Sequence, residues 1–137
     1  MSNKKKVYFA GSIRGGREDA EIYKEIINFI KTKAIVLTEH IGNDELLNKE
    51  KNLTDKIIYD RDMKWLKECD LIIAECTHPS LGVGYELACG ERYNKPCFVL
   101  YRKNKCNLSA MISGNQYYKI FDYEKKEEAF DIINKIL

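Results

Sequence analysis

Two acidic residues in this chain are placed where a carboxylate could do chemistry. Glu86 ends the run Pro79-Ser80-Leu81-Gly82-Val83-Gly84-Tyr85-Glu86. Gly82 and Gly84 permit close approach of a ligand. A helix predicted from Tyr85 to Asn94 puts Glu86 in its first turn. There the helix dipole favours an acid by about 0.3–1 kcal/mol and keeps it ionised, as a nucleophile or charge stabiliser requires. The plain alternative is a capping glutamate with no chemistry. Asp62, in Asp60-Arg61-Asp62-Met63-Lys64-Trp65-Leu66, shares a helical face with Ile58, Trp65 and Leu66 and so interrupts an apolar stripe. A carboxylate facing inward must line a cavity or find a partner, the alternative being a buried ion pair.

A third group suits anions. Gly11-Ser12-Ile13-Arg14-Gly15-Gly16-Arg17 follows an apolar run and precedes a predicted helix. Its glycines allow a tight turn with exposed N–H groups, and the helix start adds a favourable field. Ser12 supplies a hydroxyl, Arg14 a planar guanidinium. The run is neither a dinucleotide fingerprint nor a P-loop, and it also reads as an ordinary strand-to-helix turn. Tyr8 lies just before it, either as a core aromatic or beside the site. His40 borders the same region, and His78 lies in the Ser80 loop. Neither histidine has a partner at metal-ligand spacing, so no metal is expected.

These residues need elements to position them. Apolar runs at Val7 to Ala10, Ala34 to Thr38, Leu71 to Ala74, Cys97 to Tyr101 and Tyr117 to Tyr123 read as strands. Between them, Glu18 to Lys31, Leu53 to Cys69 and Tyr85 to Asn94 read as helices. Ile41 to Asn52 and Thr77 to Gly84 read as loops, Leu108 to Ile112 as one or two helical turns, and Lys125 to Leu137 as a last helix. This alternation predicts an α/β chain: a five-stranded, mainly parallel sheet with helices on both faces. Such sheets bind ligands at the carboxyl ends of their strands, which is where the candidate residues fall.

The 137 residues suit a single domain spanning 1–137, with 1–6 as a solvated tail containing Lys4-Lys5-Lys6. A net charge of +2 argues against a nucleic-acid polymer as partner. No apolar run is long enough to span a membrane, and the N-terminus lacks a signal-peptide pattern. The five cysteines, Cys69, Cys76, Cys89, Cys97 and Cys106, form no C-x-x-C pair. They read as buried free thiols of a reducing compartment, so a cytoplasmic or nuclear location is expected.

Taken together, the motifs resemble the 2'-deoxynucleoside 5'-phosphate N-hydrolases. The resemblance is carried by Tyr8-Phe9-Ala10-Gly11-Ser12-Ile13-Arg14-Gly15-Gly16-Arg17-Glu18-Asp19, Val36-Leu37-Thr38-Glu39-His40, Pro79 to Leu87, and Leu108-Ser109-Ala110-Met111-Ile112. The wider superfamily, the nucleoside 2-deoxyribosyltransferases, has a Rossmann-like fold. The resemblance implies cleavage of the N-glycosidic bond of a deoxynucleoside monophosphate, without a cofactor. It implies Glu86 as nucleophile at C1', Asp62 as general acid/base and Tyr8 as the group orienting Glu86. Ser12, Ile13, Arg14, Gly15, Gly16, His40, Ser80 and Gly82 would bind substrate, chiefly phosphate and sugar. Met111 would also bind substrate, and Ser109 would reach the phosphate of the neighbouring subunit's substrate, which implies a homodimer.

Three other readings compete. A deoxyribosyltransferase would pass the sugar to a second base, but free nucleosides need no phosphate-binding ring. A ribonucleotide hydrolase acting on CMP would use similar motifs. A binding module without catalysis would not need the Glu86 and Asp62 pair.

Overall fold

The structure is a computed structural model and describes residues 4–12, 19–42 and 51–137. Five strands, β1 (Lys6–Ala10), β2 (Ile35–Val36), β3 (Leu71–Glu75), β4 (Cys97–Tyr101) and β5 (Lys119–Asp122), form one sheet in the order β2-β1-β3-β4-β5. Every pairing is parallel. The helices are α1 (Ala20–Lys31), α2 (Asp55–Glu68), α3 (Leu81–Arg92), the single-turn α4 (Ala110–Ser113) and α5 (Lys126–Ile136).

Alternate strand residues serve two cores. Val7, Phe9, Leu71, Ile73 and Leu100 pack against α1 and α5. Tyr23, Ile26, Ile27 and Ile30 of α1 recur at helical spacing and are all buried there, each worth about 1.5–3 kcal/mol over an exposed position. Phe29 stacks on Phe130 of α5 at 4.4 Å between ring centres. On the other face Tyr8, Ala10, Ile72, Ala74 and Val99 meet Leu66 of α2 and Val83, Leu87 and Cys89 of α3. Burial on both faces explains why β3 reads as an unbroken apolar run. Gly90 sits where α3 crosses the sheet: a Cβ there would lie 2.2 Å from Ile72 Cδ1.

The chain leaves β1 for β2 on one side and reaches β3 on the other. The carboxyl ends of β1 and β3, paired through Ala10 and Ala74, therefore flank the switch in strand order. Ligand crevices of open parallel sheets form at such points.

Several boundaries differ from expectation. β1 takes in Lys6, whose N–H donates to Asp70 Oδ2 at 2.8 Å. β2 is two residues long, because the Thr38 hydroxyl takes over its edge: it accepts from Phe9 N at 2.9 Å and donates to Phe9 O at 2.6 Å. The chain then turns through a 3₁₀ segment, Glu39–Gly42, with Ile41 and Gly42 buried rather than in a polar loop. α1 starts at Ala20 with Asp19 at its N-cap. α3 starts at Leu81, four residues before the expected Tyr85, because Ser80 caps it by accepting from Val83 N at 3.2 Å. All five cysteines are free; Cys69, Cys89 and Cys97 are buried, while Cys76 and Cys106 are partly exposed. No helix among the described residues is long and apolar enough to cross a membrane.

Candidate active site

A cavity of about 700 Å³ opens at the carboxyl end of β1, between α2, α3 and the turn at Glu39–Gly42. Tyr8, His40, Asp62, Ser80, Gly82 and Glu86, six of the residues singled out in the sequence, line it. Elements far apart in the chain bring them together: Tyr8 rises from β1, Asp62 from the middle of α2, and Glu86 from α3.

The early start of α3 changes the electrostatics of Glu86. It stands in the second turn, six residues past the Ser80 cap, beyond the reach of most of the dipole field. Burial governs instead. It pushes the Glu86 carboxyl up to about 7, the Asp62 charge adds to the rise, and a hydrogen bond from the Tyr8 hydroxyl to Oε2 pulls the other way. The expectation that the helix field holds this carboxylate fully ionised is therefore corrected: near neutral pH Glu86 is divided between two forms. The Tyr8 phenol, itself buried, is driven far above its usual range by burial and by the charges of Glu86 and Asp62, so it stays a donor.

Asp62 both lines the cavity and has an ion-pair partner. Arg61 Nε lies 2.9 Å from its Oδ1. The same guanidinium sits 5.1 Å from the centre of the Trp65 ring, and its Nη2 is 3.2 Å from His40 Nε2. Trp65 is partly buried against the core and forms with His40 and Arg61 a wall beside the carboxylate.

The glycines of α3 divide by role. A Cβ on Gly82 would meet only Ser80 Oγ at 3.8 Å, and one on Gly84 would meet nothing within 4 Å. Neither is demanded by packing, although glycine in a helix costs up to about 1 kcal/mol against alanine. At Gly82 the space a side chain would fill belongs to the cavity.

Ser12 is fully buried; its N–H donates to the Tyr23 hydroxyl at 3.1 Å, and its own Oγ has no partner among the described residues. Ile13, Arg14, Gly15 and Gly16 lie outside the described residues. Ser109 caps α4 by accepting from Met111 N, and it is exposed, as is Met111 at 81%. Neither lines the cavity within one chain. Among the described residues no group of three or more His, Cys, Asp or Glu is placed to hold a metal ion.

One cluster was missed in the sequence. Glu75 ends β3 fully buried; its carboxylate accepts from Thr77 N at 2.7 Å, Thr77 Oγ1 at 2.8 Å and the Tyr123 hydroxyl. Arg102, just past β4, pairs with Glu75 at 3.7 Å and with Asp19 at 2.6 Å. A signal was present: a charged residue closes the apolar run at 71–74, and another follows the run at 97–101, both at carboxyl ends of strands.

Comparisons with known proteins fit this geometry. The family described as nucleoside 2-deoxyribosyltransferase matches residues 7–126. A protein of Tetraodon nigroviridis named 5-hydroxymethyl-dUMP N-hydrolase is 48% identical over 112 residues, covering 80% of this chain and 79% of that one. The human protein of the same name is 42% identical over 127 residues, covering 88% of this chain and 73% of that one. Among solved structures, a Clostridium botulinum CMP N-glycosidase superposes with a TM-score of 0.71 at 18% identity, covering 97% of this chain and 100% of that one, a likeness of fold.

Proposed function

The chain belongs to the nucleoside 2-deoxyribosyltransferase family, and on that premise we propose that it hydrolyses the N-glycosidic bond of 2'-deoxynucleoside 5'-monophosphates. The products are a free base and 2-deoxyribose 5-phosphate. The observation that carries the reading is the meeting of Tyr8, Glu86 and Asp62 in one cavity, with the Tyr8 hydroxyl on the Glu86 carboxylate.

In this reading Glu86 attacks C1'. A bond forms between its carboxylate oxygen and C1', the bond from C1' to the base nitrogen breaks, and Asp62, having first taken a proton from solvent, gives it to the departing base. Water then attacks C1', Asp62 takes the water's proton, and the Glu86 carboxylate is released. Both steps pass through an oxocarbenium-like state that a fixed carboxylate stabilises. Tyr8 aims Glu86 and favours its charged form. Ser80, Gly82 and the Gly11–Ser12 turn hold the sugar and phosphate through contacts that lie away from C1', so their role is positioning. The relatives named for 5-hydroxymethyl-dUMP make that nucleotide the first substrate to try.

The active form in this reading is a homodimer. Ile57, Tyr59, Leu81 and Tyr85 leave an exposed apolar rim beside the cavity, and Met111 is exposed next to Ser109. Apolar patches of this kind mark protein interfaces. In this reading the partner that covers them supplies Ser109 to the cavity mouth.

The test is a substrate panel: deoxynucleoside monophosphates including 5-hydroxymethyl-dUMP, the matching nucleosides, and CMP, each with and without an acceptor base. Base release from deoxynucleotides in water alone is the expected result. Release that requires an acceptor base would make the protein a transferase, and release from CMP alone a ribonucleotide hydrolase.

A further inference from the structure

Asp19 holds the N-cap position of α1, yet its side chain caps none of the helix's N–H groups. N-cap aspartate commonly turns back onto the first turn. Here the carboxylate instead meets Arg102 Nη2 at 2.6 Å, with the two side chains only 14% and 16% exposed. Arg102 is fixed from its other end. Its backbone N–H donates to Thr77 Oγ1 at 2.9 Å, and its Nε faces Glu75 Oε2 at 3.7 Å. Thr77, Glu75 and Tyr123 are in turn locked to one another by hydrogen bonds. The guanidinium is therefore held by the ends of β3 and β4, and Asp19 is drawn toward it.

The second observation concerns Ser12. Ser12 is fully buried with an Oγ that has no partner among the described residues. It is tied to the same helix, since its N–H donates to Tyr23 Oη and Tyr23 N–H donates to Asp19 O at 2.9 Å. Through Tyr23, a residue with an unmatched buried hydroxyl is thus tied to the helix whose own N-cap carboxylate has been diverted. The other acid of the first turn, Glu21, is exposed to solvent.

We infer that Arg102 is a positioning residue for the substrate's 5'-phosphate: by holding and neutralising Asp19, it leaves the α1 N-terminus and Ser12 open to a phosphate. A phosphate monoester carries close to two negative charges at neutral pH. A free Asp19 carboxylate would take the same N–H groups and repel that charge. This rests on the reading that Ser12 and the start of α1 receive the phosphate. It goes beyond that reading in assigning a role to Arg102, Asp19 and Glu75.

The test compares wild type, Arg102→Met, Arg102→Lys and the double variant Arg102→Met with Asp19→Asn. Each is assayed with a deoxynucleoside monophosphate, and inorganic phosphate serves as a competitive inhibitor. Arg102→Met is expected to raise the monophosphate KM and the phosphate inhibition constant together by about tenfold, the repulsion of one freed Asp19 charge, with kcat near wild type. Arg102→Lys falls between, because it keeps the charge without the fork. The double variant returns both constants toward wild type, since the repelling carboxylate is gone; a merely structural role gives no such rescue. A double variant no better than Arg102→Met, or a fall in kcat at unchanged KM, overturns the inference. If Arg102→Met does not fold, Arg102→Lys decides: unchanged KM and inhibition constant overturn it. A wild type that inorganic phosphate does not inhibit, and that cleaves nucleosides as well as monophosphates, overturns the phosphate reading and this inference with it. Inhibited wild type with indifferent variants overturns this inference alone.

Discussion

Replacing Tyr8 by Phe removes one hydroxyl from beside Glu86 and leaves the ring to pack as before. That hydroxyl donates to Glu86 Oε2 and is the influence that lowers the carboxyl's pKa against burial and the Asp62 charge. A hydrogen bond to a charged group is worth about 1.5–3 kcal/mol, and one pKa unit corresponds to about 1.4 kcal/mol. From a starting value of about 7, the carboxyl in Tyr8→Phe should therefore titrate about one to two units higher. At pH 7 its ionised fraction falls from about one half to between about a tenth and a hundredth. The assay is kcat/KM from pH 5.5 to pH 10, which reports groups of the free enzyme. The acid limb should move to higher pH, with a loss of about fivefold to fiftyfold at pH 7. An acid limb that stays in place, or moves to lower pH, would refute the reasoning that Tyr8 tunes Glu86.

Other consequences follow from the same structure. Because the folded-state pKa of Glu86 lies above its unfolded value, its burial costs nothing below pH 4. Stability then falls as pH rises toward about 7. Glu86→Gln should thus be inactive yet more stable than wild type at pH 8 by about 3 kcal/mol, with the gap closing at pH 4, as read by urea unfolding. Gly90→Ala should destabilise by about 1–3 kcal/mol, since its Cβ would strike Ile72 Cδ1, and adding Ile72→Val should recover part of the loss in thermal melts. Gly82→Ala should leave stability unchanged or raise it by up to about 1 kcal/mol while raising KM, because its methyl group meets only Ser80 Oγ, at 3.8 Å, beside the cavity. Mixing and refolding two inactive variants, Glu86→Gln and Ser109→Ala, should restore activity if each site draws Ser109 from its partner; inactive mixtures would argue against the shared site.

Much of this was legible in the sequence because it rests on local pattern. The apolar runs at 7–10, 71–74 and 97–101 mark central strands buried on both faces, and the isoleucines of α1 mark its inner stripe. Glu86, Asp62 and Tyr8 were legible as candidates through motif and spacing. What failed depended on tertiary context. The start of α3 moved because Ser80 caps it, although glycines follow at 82 and 84. The ionisation of Glu86 could not be read from its helix position, because burial under the sheet end outweighs the dipole. Arg102, Glu75 and Asp19 are distant in sequence and meet only through the β3 and β4 pairing and the α1 start. Ser109 and Met111 stand apart from the cavity in a single chain, so their resemblance-based role becomes a question of assembly.

The central claim is that Glu86 attacks C1' and that water completes the reaction. The most direct measurement incubates the protein with 5-hydroxymethyl-dUMP without any acceptor base. It follows free base and 2-deoxyribose 5-phosphate by chromatography, and it searches acid-quenched, digested protein by mass spectrometry for a sugar-phosphate adduct. The account predicts equal amounts of both products from wild type, none from Glu86→Gln, and an adduct confined to the peptide carrying Glu86. Full product release by Glu86→Gln, or an adduct on another residue, would contradict it.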